Sequence, residues 1–238
     1  MIWIMIFGGI LASFIYALAC AENSDFLYRR SRCDSCRHTL NWPELIPLVS
    51  FLALKGKCLH CHSKIDRGTF LCELLLVFFY ILPVFYDLSL KDFTLYYLVI
   101  TLLIPISLND IKTYKIPDHM NLLFLFTGLY LTELSYLNIW EDIVIILILH
   151  LFYYLFSESI GYGDIKLFTV ITLITPVNFF IYTILMTYII GGLFIIILHL
   201  YKNKIPSKIP LVPFITNALI LSFLLYEEMN QIYFGGFL

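Results

Sequence analysis

Two short polar stretches interrupt a chain that is otherwise nearly all hydrocarbon. One is Gly161-Tyr162-Gly163-Asp164, followed at once by Ile165 and Lys166; the other runs from Asp110 through Lys112 and Lys115 to Pro117-Asp118. Ionisable residues set among apolar spans are costly to place and mark functional sites by default. Two carboxylates brought to one site cannot both ionise freely, so they share a proton. One then activates a water as general base while the other donates to a carbonyl, which is the chemistry of peptide-bond hydrolysis by aspartic proteases. Asp110 and Asp164 are therefore the expected catalytic pair. Gly161 and Gly163 are expected to support them, since glycine lets a substrate strand approach closely and adopts positive φ. Asp118, after Pro117, is expected to open a helix beside the site. The competing reading is that these acids merely terminate helices at a membrane interface.

A second set of reactive side chains lies upstream. Cys33 and Cys36 form one CxxC pair, and Cys58 and Cys61 form another. Two such knuckles about 20 residues apart are the pattern of a four-thiolate zinc site. Four thiolates close the coordination sphere and leave no position for a reactive water, so the zinc is expected to be structural. His38, His60 and His62 are expected to be ordinary loop residues.

The elements that position these groups follow from composition. The chain has 238 residues, 61% of them hydrophobic and 13% charged. Soluble domains carry about 25% charged residues, so this chain is expected to be an all-α polytopic membrane protein. Apolar runs at 2–20, 70–86, 93–109, 120–137, 142–157, 165–175, 177–201 and 211–226 predict about eight transmembrane helices, the long run at 165–201 being broken at Pro176. The expected divisions are a first helix at 1–20, a cytoplasmic zinc-binding loop between helices 1 and 2 at 21–69, and a multi-helix membrane domain at 70–238. With the N-terminus outside, the loops at 21–69, 110–119, 158–166 and 202–210 hold fourteen of the fifteen Lys and Arg residues, Lys91 being the exception. Basic residues favour the cytoplasmic side, so both acidic stretches are expected there, in the plasma membrane. The lipid bilayer is the expected surrounding, and no nucleic acid is expected as a partner.

Read together, these motifs resemble the bacterial type IV prepilin peptidases, the GxGD-type aspartic leader peptidases of peptidase family A24. Arg32 to Cys36 with Leu40-Asn41-Trp42, Leu45 to Leu52, and Gly56 to Cys61 resemble the family's zinc domain. Glu73 falls where the family has a glutamate opening its second helix. Asp110 through Asp118 resembles the D…(I/L)PD segment, and Gly161 to Leu167 matches GxGD(I/V/F)KL. Ile209 to Phe214 resembles the C-terminal iPfgPf segment, with Val212 in place of the usual glycine. The resemblance implies cleavage of a short basic leader from type IV prepilins or pseudopilins at the cytoplasmic face, with Asp110 and Asp164 as catalytic acids. Many members also N-methylate the new N-terminus, so S-adenosylmethionine is implied as a second cofactor by resemblance alone. The short, tyrosine-rich chain is similar to the versions serving competence pseudopili. Two other functions remain open from the residues: a GxGD protease acting on other membrane substrates, and a non-enzymatic transporter or scaffold with acids along an ion path.

Overall fold

The computed structural model describes residues 2–21, 30–88, 92–132, 136–202 and 208–234. Arg29, Lys91 and Lys204, which enter the charge argument, lie outside the described residues, as do residues 22–29 of the cysteine-bearing segment and 133–135 of the expected 120–137 helix. The described residues form nine α-helices and a short 3-10 turn. The only extended pairings among them are two isolated bridges, Arg32 with Thr39 and Lys57 with Lys64. The chain divides into two compact units, residues 1–85 and 86–238.

The first unit holds α1 (Ile2–Ala19), α2 (Val49–Ala53) and α3 (Arg67–Phe85). The face of α1 carrying Gly8, Ala12, Ile15, Tyr16 and Ala19 is buried, the three-and-four spacing of one helix side. It packs on Cys72, Leu76 and Tyr80 of α3. The approach is close: a Cβ on Gly8 would lie 3.2 Å from the Tyr80 ring. Asp66 caps α3 by accepting the Gly68 N–H at 3.1 Å, and its other oxygen accepts from the Tyr16 hydroxyl at 3.1 Å.

Glu73 explains how the intervening loop is tied down. It is 7% exposed in the second turn of α3. One carboxylate oxygen accepts from the Ser13 hydroxyl of α1, and the other accepts the Leu48 N–H at 2.7 Å. Leu48 has φ 60 and precedes α2. Glu73 thus joins α1, α3 and the loop at one buried point.

The second unit holds α4 (Phe93–Thr113), α5 (Asp118–Leu131), α6 (Ile139–Leu155), α7 (Tyr162–Ile174), α8 (Val177–Lys202) and α9 (Val212–Phe234). Helix α4 is central to this unit: most of its residues are buried, whereas few of those of α8 are. On α8, Leu193, Ile196, Ile197 and Leu200 are exposed, as expected of a helix facing lipid rather than water. Helix α4 packs on α5 and α9, α7 packs on α5 and α6, and α8 packs on α9. Tyr96 of α4 meets Phe223 of α9 edge-on, 5.4 Å between centroids, and Gly128 lets α5 come against Ile174 of α7.

The all-helical reading holds, and the expected break at Pro176 separates α7 from α8. The span count differs. Among the described residues four helices, α3, α4, α8 and α9, are long and apolar enough to cross a membrane. Helices α5, α6 and α7 have 14, 17 and 13 residues, fewer than the roughly 20 a bilayer core requires. Helix α5 stops at Leu131, short of the run at 120–137, whereas α6 and α7 begin three residues before the runs at 142–157 and 165–175 and are still too short.

Candidate active site and metal centre

Asp110 lies in the last turn of α4 and is 5% exposed. The turn that follows is locked locally. Tyr114 adopts φ 53 and returns its N–H to the Asp110 carbonyl at 2.8 Å, while the Asn109 side-chain amide donates to the Lys115 carbonyl at 3.1 Å. From there Ile116 and Pro117 lead into α5. Asp164 is the third residue of α7, whose N-cap is Gly161. The Gly161 N–H faces the Asp164 carboxylate, so the acid reaches back to the backbone that begins its own helix. A carboxylate at that end is favoured by the helix dipole.

The two polar stretches meet. A Cβ on Gly163 would touch Ile116 at 3.4 Å. Lys166 donates to the Asp118 carboxylate at 2.7 Å, and Asp110 lies within electrostatic range of Asp164. Residues 54 positions apart in the chain are thereby gathered at one end of α4, α5 and α7.

The supporting residues act differently from the sequence expectation. Gly161 has φ −73 and Gly163 is helical, so neither uses positive φ. The value of Gly161 is space: a Cβ there would lie 3.0 Å from Asp164 Oδ2. Asp118 is not the N-cap of α5. Pro117 holds that position, and Asp118 is the first helical residue, turned toward Lys166.

Two contributions were not expected from the sequence, although Val212 stands in the Ile209 to Phe214 segment. The backbone N–H of Val212, at the start of α9, donates to Asp110 Oδ2 at 3.1 Å. Tyr188 of α8 lies within electrostatic range of Asp164, and it is one of 17 tyrosines, which is why nothing singled it out.

In the first unit the four cysteines converge, their sulfurs all within 4.8 Å of one another. The two knuckles have the same build. Cys33 N–H donates to the His38 carbonyl and Cys58 N–H to the Ser63 carbonyl, each at 2.9 Å, while Arg37 and His62 take the left-handed turn with φ 57 and 56. Tetrahedral thiolates on zinc at about 2.3 Å stand roughly 3.8 Å apart, and Cys33 Sγ to Cys61 Sγ is 3.8 Å. The residues present therefore fit a tetrahedral metal ion. The Cys36 N–H, then the Ser63 hydroxyl, hold the Cys33 thiol down to about 6. The Ser63 hydroxyl also lowers Cys61. For Cys36 the His38 N–H favours the thiolate, but desolvation and the three neighbouring thiols outweigh it and push the group up to about 12. A cation at the centre would take the place of the protons that these thiols share. His38 and His60 stack on each other, 4.8 Å between centroids, as a lid of loop residues.

A helical membrane protein with two carboxylates within electrostatic range at helix ends and a four-cysteine loop is the class these features define. Residues 6–86 match the bacterial peptidase A24 N-terminal domain, and residues 97–196 match the type IV leader peptidase family. The chain is 30% identical to the prepilin leader peptidase/N-methyltransferase of Bacillus subtilis, over 97% of this chain and 96% of that one. It is 28% identical to the protein of the same name from Vibrio cholerae, covering 82% and 80% of the two chains, and 31% identical to that of Aeromonas salmonicida, covering 83% and 72%. No solved structure matches significantly. The chain belongs to the type IV leader peptidase family.

Proposed function

We propose that this chain is an aspartic endopeptidase that removes the basic leader from type IV prepilins or pseudopilins at the cytoplasmic face of the plasma membrane. The observation that carries the reading is the meeting of Asp110 and Asp164, each at a helix end and each with a backbone N–H against its carboxylate. The names of the relatives and the family membership support the substrate class. In the proposed reaction the two acids share one proton. The ionised carboxylate takes a proton from water as the oxygen attacks the scissile carbonyl, and the protonated partner donates to the carbonyl oxygen. Collapse breaks the C–N bond and returns a proton to the leaving amine. Asp118 and Lys166 hold α5 to α7 beside the pair, and Gly161 keeps Asp164 free to turn.

The placement of charge supports the orientation. Lys112, Lys115, Lys166 and Lys208 flank the ends of α4, α7 and α9 that gather at the two acids, whereas Asp92 and Asp142 mark the opposite ends of α4 and α6. We keep eight membrane-inserted helices as part of the proposal, with short α5, α6 and α7 completed by polar turns at the interface. We likewise keep the functional division into a first helix at 1–20, a zinc loop at 21–69 and a membrane peptidase at 70–238. Cys33, Cys36, Cys58 and Cys61 would hold zinc, which supplies a crosslink to the loop and no reactive position.

N-methylation by S-adenosylmethionine enters through the relatives' names. A cavity of about 500 Å³ in the first unit is bordered by Tyr16, Asp66 and Glu73. Four acids line it, Asp34, Glu44, Asp66 and Glu73; Glu44, Asp66 and Glu73 already accept from protein donors, so the lining does not single out a site for this cofactor. Co-expression with a prepilin tests the peptidase: leader removal is expected to stop in Asp110→Ala and in Asp164→Ala at normal protein level. Unchanged processing in either would remove that acid from the mechanism.

A further inference from the structure

We infer that the start of α9 is the device that aims Asp110, and that Ser107 and Thr216 are positioning residues for it. This rests on the peptidase reading above.

Two rungs join α4 to α9, which run in opposite directions. The outer rung is Val212 N–H to Asp110 Oδ2 at 3.1 Å, with the Leu211 N–H also against the carboxylate. The inner rung, one turn deeper, joins the hydroxyls of Ser107 and Thr216 at 2.6 Å. Ser107 and Asp110 are three residues apart, and Val212 and Thr216 are four apart, so each pair shares one face of its helix. All four residues are buried.

Hydroxyl bookkeeping closes the arrangement into a ring. Thr216 Oγ1 lies 2.9 Å from the Val212 carbonyl, which accepts and cannot donate. The single Thr216 proton goes there, so Ser107 must be the donor to Thr216. The path then runs from Ser107 to Thr216, to the Val212 carbonyl, across that residue to its N–H, and into Asp110. The last turn of a helix presents carbonyls to a carboxylate and gives it no donors. The α9 amide supplies the missing donor, and the hydroxyl rung fixes where that amide points. Losing the rung lets the first turn of α9 rotate and the carboxylate follow it, away from Asp164. Small misplacements of this kind reduce turnover more than binding.

The test uses the full-length protein in detergent with an intact prepilin, comparing Ser107→Ala, Thr216→Val, the double variant and Thr216→Ser. Elution profile and thermal unfolding verify that each is folded. Each single loss of a hydroxyl is expected to lower kcat about ten-fold with KM within about two-fold. The double variant is expected to be no worse than about the poorer single, since both break one ring. Thr216→Ser, which keeps the hydroxyl, is expected to restore kcat to within about two-fold of the parent. If Thr216→Val does not accumulate, Ser107→Ala with Thr216→Ser decides. A wild-type kcat in Ser107→Ala, losses that multiply in the double variant, or a Thr216→Ser variant as slow as Ser107→Ala overturns the inference. Asp110→Asn run alongside separates the two levels: cleavage surviving there overturns the peptidase reading itself, whereas its loss beside an unaffected Ser107→Ala overturns the positioning role.

Discussion

Asp110 sits where a carboxylate is poorly served by its own helix, surrounded by C-terminal carbonyls, and it is buried. Asp164 sits where a carboxylate is well served, at the third position of α7. The difference gives the two acids unlike surroundings, which is what a pair needs to divide the work of base and acid. Gly161 ties backbone to chemistry at this scale. Gly161→Ala places a Cβ at 3.0 Å from Asp164 Oδ2, forcing that carboxylate to turn. Cleavage is expected to fall about ten-fold with a slightly lowered unfolding temperature, since alanine is the poorer N-cap residue. An active Gly161→Ala would mean that the spacing is slack. Asp118 offers the contrast. Its pairing with Lys166 is exposed, with side-chain accessibilities of 71% and 37%. Exposed pairs are screened by solvent and add little net stability, so Asp118→Asn is expected to leave the unfolding temperature nearly unchanged and to reduce cleavage a few-fold. Complete loss of cleavage there would put Asp118 inside the catalytic machinery.

At the scale of elements, what was legible from sequence is what local pattern encodes. Gly161 to Asp164 opens a helix, Pro176 separates two, and the paired CxxC motifs fold into matching knuckles. What was not legible depends on partners remote in the chain. Val212 meets Asp110 across 102 residues, and Glu73 meets Ser13 across 60. Neither separation leaves a periodicity to read. The run at 120–137 overreaches α5, which stops at Leu131, and the runs at 142–157 and 165–175 begin three residues inside α6 and α7 because acids in their first turns, Glu141 and Asp164, interrupt the apolar pattern. Glu73 carries a prediction here. Glu73→Ala leaves the Leu48 N–H and Ser13 hydroxyl without their acceptor in a buried place, at a cost of about 1–3 kcal/mol. Thermal unfolding in detergent is expected to show the loss, and Glu73→Gln, which keeps an acceptor, is expected to recover part of it. Full stability in Glu73→Ala would show that the loop is held elsewhere. The metal centre is testable at the same scale. Chelation, or Cys33→Ser, is expected to open residues 30–66 to protease while the helical circular dichroism is kept, because four thiolates and little apolar core define that segment.

At the scale of the whole molecule, the family membership and four helices long and apolar enough to span a bilayer make this a membrane protein. The proposed orientation, with the basic helix ends on the cytoplasmic side, is testable at this scale. A membrane-impermeant thiol reagent applied to intact cells is expected to label Glu141→Cys and not Lys208→Cys, against the background of the parent chain. The reverse pattern would put the acids on the outer face, where a cytoplasmic leader does not reach. The proposed pairing of the two acids is most directly examined by prepilin turnover in purified Asp110→Asn, Asp164→Asn and the double variant, each verified as folded. Acid–base groups of this kind contribute about 10²–10⁴-fold. Because the pair works as one unit, each single variant is expected to fall to the same background rate as the double. A single variant that still cleaves at the parent rate, or a double variant slower than either single by the product of their effects, would contradict a shared catalytic site.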